Sequence, residues 1–518
     1  MNIKPVNVIA IVGGGTAGWL AACHIAKEKS SNGNGSVKVI LIESPDIPTV
    51  GVGEGTVPSI RQSLASFGIP ESDLILKCDA TFKQSIKFVN WQNNPDVAGT
   101  HYYHHLFDYP IVSPIDTVPY WLYGHCEGRS FAHSVSIQAG FCDAGLGPKK
   151  VTDREYEGEA SYAYHFDAGK FSTLLKDKAI EGFNVVHYRA NVLGVVKSED
   201  GYIEKLKTDA LGDIAVDFVV DCTGFSAAIL EGEMGARFVD KKQILFSDRA
   251  LVAQTKYPEA NSEIPCSTIA TAQSEGWIWD IGLSNRRGLG YVYSSQHCSS
   301  ERAEDVFAKH IGDDALISDF RTINMRIGYR DRFWIKNCAA IGLAQGFVEP
   351  LEATGLLMFD VTAKMLAALL PCDPTLISAA ANRFNDRVAF AWEGVIDFVK
   401  LHYCISNRSD TSFWQDNRDI SSVPDRLSDR LSLWSERAPN DFDFGDQFGI
   451  FHRENFEYVL YGMGFNPSLK GQCISNEYIS SMLNFSAYMS KTLDSKKKTL
   501  LPHRQLIDKI HRYGIQKI

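Results

Sequence analysis

The chain has no surplus of positive charge. Its 518 residues carry 52 Lys and Arg against 62 Asp and Glu, a formal net charge of −10. Nucleic-acid binding normally shows itself as a basic face, so no nucleic-acid partner is expected. No CxxC pair occurs among the eleven scattered cysteines, which removes the spacing signal of a zinc ribbon or a thioredoxin-like site. Several of these cysteines sit inside apolar runs, where a free thiol acts as a small hydrophobe. A reducing, cytoplasmic setting is expected. No stretch approaches the ~20 apolar residues that span a bilayer. The opening MNIKPVNVIAIVGGG lacks a long apolar region and a small-residue cleavage site, so it reads as a strand rather than a signal peptide. No membrane partner is expected. Repeats, low-complexity tracts and a Gly-x-Ser-x-Gly elbow are also missing.

What is present is a globular composition, 45% apolar and 22% charged, with length enough for two lobes or one large elaborated domain. The first fifty residues read most clearly. Val8 to Val12 is a wholly apolar strand, Trp19 to Glu28 a helix rich in Ala, Ser30 to Ser36 a turn cluster, and Val37 to Ile42 a second strand ending at Glu43. This is a βαβ unit. Between strand and helix, Gly13 permits the tight turn, Gly15 lets the backbone approach a pyrophosphate, and Gly18 lets the helix pack on the sheet. The helix start offers free N–H groups to phosphate, and the Glu43 carboxylate can accept from a ribose hydroxyl. A dinucleotide site is expected here.

Val216 to Asp221 and Trp334 to Leu343 read as further apolar strands, each leading to glycine. Their distance in sequence implies an interrupted domain. Pro374 onward reads as mainly helical, with helices at Ala379 to Trp392 and from Lys496 to Ile518. His101, His104 and His105 lack partners at ligand spacing and have aromatic neighbours, so a pocket wall is expected and no metal. Lys83 and Lys87, four apart or on one strand face, are most simply two exposed lysines on composition alone. Between Gly346 and Gly355, Glu349 and Glu352 flank a Pro-Leu pair; the simplest reading is a capped helix start near Glu352 or Thr354. Trp277 and Trp279, at i and i+2, share a strand face.

Taken together, these segments resemble the flavin-dependent halogenases of the tryptophan-halogenase family. The resemblance rests on GGGTAGW, GVGEGTVPS, FKQSIKFVNW, WIWDI, GYVYSS and GFVEPLEATG in that order. It extends through AYHFD (Ala163 to Asp167), DCTGF (Asp221 to Phe225), LHY (Leu401 to Tyr403) and Phe413-Trp414, to about residue 465. It implies an α/β fold: a flavin-monooxygenase-like FAD module of Rossmann type with a mainly helical lobe. The module spans residues 1–370, with a substrate-pocket insertion at about 56–159, and the lobe, 371–518, covers the substrate site.

The implied reaction uses FADH2 from a separate NAD(P)H-dependent flavin reductase, oxygen, and a halide, bromide or chloride. Hypohalous acid travels through a tunnel to a lysine and halogenates a small electron-rich aromatic. A homodimer is compatible with the resemblance. Matched to the family motifs, the lysine is Lys83 rather than Lys87, and Glu352 is the catalytic glutamate. Thr354 and Gly355 fall on halide positions. Gly13, Gly15, Thr16, Ala17, Gly18, Glu43, Ser44, Val50, Glu54, Leu343 and Phe359 fall on FAD positions, and His105 and Phe107 on the aromatic pocket. Two departures are Gly282 where the family has proline and Ala353 where it has serine. Phe444 to Tyr461 lacks the tyrosine pair and the Phe-Trp pair that clasp free tryptophan, so indole or an indole derivative is the expected substrate. The alternative function is an FAD-dependent aromatic hydroxylase.

Overall fold

The computed structural model describes residues 6–31, 37–47, 53–126, 128–312, 316–445, 449–469 and 473–515. Val50 and most of the 30–36 turn cluster lie outside these residues. A six-stranded sheet runs in the order Trp334–Ile335, Cys338–Ala340, Phe218–Asp221, Val8–Val12, Lys38–Glu43, Val186–Arg189. All neighbours are parallel except the first pair. Ile9 to Val12 and Val39 to Ile42 are buried, as an apolar run covered on both faces requires. The helix Thr16–Ser31 crosses from the first strand to the second, completing the expected βαβ unit. Its Ala21, Ala22 and Ala26 are buried, and small side chains there let it lie close to the helix Thr354–Leu369.

A seven-stranded sheet carries the second layer, ordered Arg321–Asn324, Arg249–Thr255, Arg287–Tyr293, Gly276–Gly282, Ser267–Gln273, Ser85–Val89, Tyr102–Leu106. Beside it, Gly53–Gly55, Ala163–Asp167 and Thr81–Lys83 form a small antiparallel sheet. Lys83 is thus the last residue of one strand, and Ser85 starts the next. Two long elements close over this region: the helix Ile377–Cys404 and the shorter helix Arg453–Gly462.

Two expectations change. Trp334 to Leu343 is not one strand. Lys336, with φ of 52°, turns the chain back so that Trp334–Ile335 pairs antiparallel with Cys338–Ala340, and a short 3-10 turn follows at Gly342–Ala344. The polar Lys336-Asn337 pair interrupts the apolar run at that turn. The final helix is also broken. Asn476–Thr499 and His503–Tyr513 are separate helices, because Pro502 lacks an N–H and restricts the residue before it. The second of them sends the His503 ring inward, where Nε2 accepts from the Phe82 N–H at 3.0 Å, one residue from Lys83. No described helix is long and apolar enough to cross a membrane.

Candidate active site

The glycine turn is sterically determined. Gly13 has φ of +119°, and a Cβ there would lie 2.2 Å from the Cys222 carbonyl oxygen. A Cβ on Gly18 would lie 2.0 Å from the Gly13 carbonyl oxygen. These glycines seat strand, turn and helix against one another. Gly15 differs: an added Cβ would meet no protein atom within 4 Å. The space over Gly15 faces the first turn of the helix, formed by Thr16 and Ala17, where unpaired amides and the positive end of the helix dipole favour phosphate. The 3-10 turn bearing Leu343 comes close as well, since a Cβ on Gly342 would lie 2.5 Å from the Ala17 Cβ. This arrangement fits a dinucleotide such as FAD.

The other residues matched to FAD positions in the sequence are placed less simply. Glu43 ends the second strand, where its Oε2 meets His187 Nε2 at 2.8 Å and Lys176 Nζ at 3.9 Å. Ser44 donates to Asn191 Oδ1 at 2.6 Å. Burial pushes Glu54 up to about 7. Phe359 lies one turn along its helix from Gly355, 4.0 Å from where a Gly355 Cβ would sit.

Lys83 is fully buried, so the reading as an exposed lysine does not hold. Its Nζ has no hydrogen-bond partner among the described residues and sits 5.4 Å from the centre of the Phe107 ring. A Cβ on Gly55 would approach that Nζ to 3.3 Å, so glycine makes room for the amine. Burial pushes Lys83 down to about 7, against the Glu352 charge, which raises it. Lys87 does not share a face with it. It belongs to the next strand, and its ammonium lies over the Tyr102 ring at 3.7 Å.

Glu352 is also buried but richly bonded. His105 Nδ1 lies 3.0 Å from Oε1 and 2.9 Å from Oε2, and His402 Nε2 lies 2.8 Å from Oε1. Burial alone would raise this carboxyl; the two histidines more than offset it and hold it near 2. Immediately after it, Ala353 takes a left-handed conformation, φ of 54°, which turns the chain into the helix that begins at Thr354. That helix start is uncapped by Ala353, and the buried Thr354 Oγ1 has no partner among the described residues. Amide N–H groups and a free hydroxyl therefore converge next to the carboxylate, a setting suited to an anion.

The two carboxylates of this loop do not work together. Glu349 turns away, accepting from Tyr403 Oη at 2.7 Å and Trp277 Nε1 at 2.8 Å. Trp277 and Trp279 do share a face, with ring centres 6.1 Å apart. His104 and His105 point to opposite sides of their strand: His104 bonds Ser85 and Asp143, His105 bonds Glu352.

Sequence reasoning did not assign His402, Asn455 or Phe451. His402 lies in the LHY segment of the long helix. Asn455 Nδ2 lies 3.1 Å from His105 Nε2, and Phe451 stacks on Phe398 at 3.9 Å. The LHY segment, Leu401 to Tyr403, which is part of the family resemblance, was the available signal for the first.

The family model for tryptophan halogenase matches residues 8–475. Tryptophan 6-halogenase SttH of Streptomyces toxytricini is 34% identical over 489 residues, 90% of each chain. The crystal structure of a tryptophan halogenase from Shewanella frigidimarina superposes with a TM-score of 0.95 at 39% identity, covering 100% of both chains. BrvH, a flavin-dependent halogenase from Brevundimonas, gives a TM-score of 0.85 at 29% identity over 97% of this chain and 99% of that one. On the match of the family model over residues 8–475 and on these relatives, the chain belongs to the flavin-dependent tryptophan halogenase family and is an enzyme of that family.

Proposed function

We propose that the enzyme halogenates a small electron-rich aromatic of indole type, with Lys83 directing hypohalous acid onto the ring and bromide or chloride as the halogen source. The observation that carries the reading is the contrast inside one buried site. Lys83 offers an unpartnered amine while Glu352, nearby, is an oriented carboxylate. An aromatic hydroxylase has no task for such a pair.

In this reading the Gly13–Gly18 turn, Thr16, Ala17 and Leu343 hold FAD, with Glu43, Ser44, Val50, Glu54 and Phe359 as further contacts. When bound, the reduced cofactor would supply two electrons to oxygen and the halide the other two, giving hypohalous acid and water. Thr354 and Gly355 hold the halide through the helix N-terminus. Lys83 holds the oxidant by its amine or ammonium, and Phe107 and His105 flank the aromatic ring. Glu352 takes the ring proton as halogen replaces it. Residues 1–370 form the FAD-binding halogenase core, with the substrate-pocket insertion at about 56–159, and residues 371–518 cover the substrate site. Electrons reach FAD from a separate cytoplasmic reductase.

The test is a reaction with reductase, NADH, FAD, indole and either bromide or chloride, read by mass spectrometry. Product mass should follow the halide, and no product should form without reductase or chemically reduced flavin. A hydroxylated product that ignores the halide, or NADH oxidation by the chain alone, contradicts the reading.

A further inference from the structure

The partners of Glu352 restrict where the protons around it can sit, an inference that rests on the reading of Lys83 and Glu352 above. His402 Nδ1 lies 2.8 Å from the Phe398 carbonyl oxygen, which only accepts. Its Nε2 lies 2.8 Å from Glu352 Oε1. A neutral imidazole has one N–H and cannot donate in both directions. Either the ring carries two protons or Glu352 carries one.

His105 does not relieve this demand. Asn455 Oδ1 accepts from the His452 backbone N–H at 2.9 Å, which fixes the amide with its NH2 toward His105 Nε2. That nitrogen therefore accepts, and Nδ1–H donates to Glu352. His105 is satisfied as a neutral ring.

We propose that His402 is held as an imidazolium and is the standing counter-ion of Glu352, which releases Lys83 from that role. The hydrogen bonds assign the proton to His402: its Nδ1 faces a carbonyl and its Nε2 a carboxylate, whereas His105 has a donor on its far side. The Lys83 amine, buried without a partner, agrees with a carboxylate whose charge is already met. Without His402's charge, an ionised Glu352 in this dry pocket would draw Lys83 into an ammonium–carboxylate pair. The groups facing Glu352 are Lys83 from one strand, Tyr103 and His105 from another, and His402 from the long helix. On its other side Lys83 faces His165, which burial keeps neutral. Around His402 the remaining neighbours are the rings of Phe88, Trp91 and Phe398. His402 thus acts as a positioning residue, through Glu352. Oε1 accepts from both histidines and Oε2 from His105 alone, so Oε2 is the oxygen with capacity left for the ring proton.

The test reads protonation directly in the full-length protein. 15N NMR of histidine, assigned with His402→Gln, should show both His402 ring nitrogens protonated at neutral pH. 15N NMR of the lysine amines, assigned with Lys83→Ala, should follow the Lys83 titration in wild type and variants. Glutamine at 402 keeps a donor but removes the charge, so His402→Gln should raise the Lys83 midpoint by about 1 pH unit or more. Glu352→Gln should lower it, and the double variant should match Glu352→Gln. A His402 ring with one unprotonated nitrogen overturns the proposal. So does an unchanged Lys83 midpoint in His402→Gln, or an equal rise in the Glu352→Gln background. If His402→Gln fails to bind FAD, the wild-type ring spectrum, assigned with His402→Asn, decides. Failure of the halogenase reading would show separately, as wild-type protein that makes no halogenated product.

Discussion

The glycine cradle and the lysine site are built on opposite plans. In the cradle, shape is set by backbone against backbone. Gly13 and Gly18 leave no room for a side chain, and the ligand-facing position, Gly15, stands open. In the lysine site, shape is set by side chains from distant stretches: Lys83, His105, Glu352, His402 and Asn455. There the Lys83 amine is left unpartnered while its neighbour Glu352 is held from two sides. The first plan tolerates no added atoms at Gly13 or Gly18, whereas the second depends on the balance of charge.

The sharpest way to break the comparison lies in the glycines. Gly18→Val drives a branched side chain into the Gly13 carbonyl, and the loss should exceed ~4 kcal/mol, seen as failure to give folded, FAD-binding protein. Gly15→Val should instead give folded protein with weakened FAD binding, measured by flavin titration, because the added atoms enter only the open space. Equal behaviour of the two variants would erase the distinction between packing glycine and ligand glycine.

A smaller loss is expected at Glu352. Glu352→Gln keeps the shape and removes the base, so single-turnover halogenation should fall ~10²–10⁴-fold with FAD binding intact. Retained wild-type rate would mean that the paired histidines serve another purpose. Smaller again is the effect of the substrate's amino-acid group. With no tyrosine pair and no Phe-Trp pair between Phe444 and Tyr461, and each charged hydrogen bond worth ~1.5–3 kcal/mol, indole should exceed free tryptophan in kcat/KM by ~10-fold or more. A higher kcat/KM for tryptophan would show that other residues of the C-terminal helices supply the clasp.

The two regions also differed in how far they could be read from sequence. The cradle lies within one stretch of chain whose apolar periods, glycines and closing acid are local signals, and strand, helix and strand appear where those signals fall. The lysine site is long-range. Nothing local distinguishes Lys83 from Lys87; only the fold buries one and leaves the other over Tyr102. Family resemblance singled out Lys83 and Glu352, but His402 and Asn455 sit on helices whose inward faces depend on what they pack against. Likewise Glu349 and Glu352, three residues apart, look alike in sequence and point to different partners. The hairpin turn at Lys336 and the break at Pro502 were legible in principle, since each carries a residue unsuited to continuing the element.

In the proposed function Lys83 alone directs the oxidant. Lys83→Ala and Lys87→Ala, compared in the reductase-coupled bromination of indole with products resolved by ring position, put this to the test. Lys83→Ala should bind FAD and consume reduced flavin as wild type does, yet yield no regioselective product. Lys87→Ala should give near wild-type rate and the same isomer. Regioselective product from Lys83→Ala, or a dead Lys87→Ala, would contradict the claim.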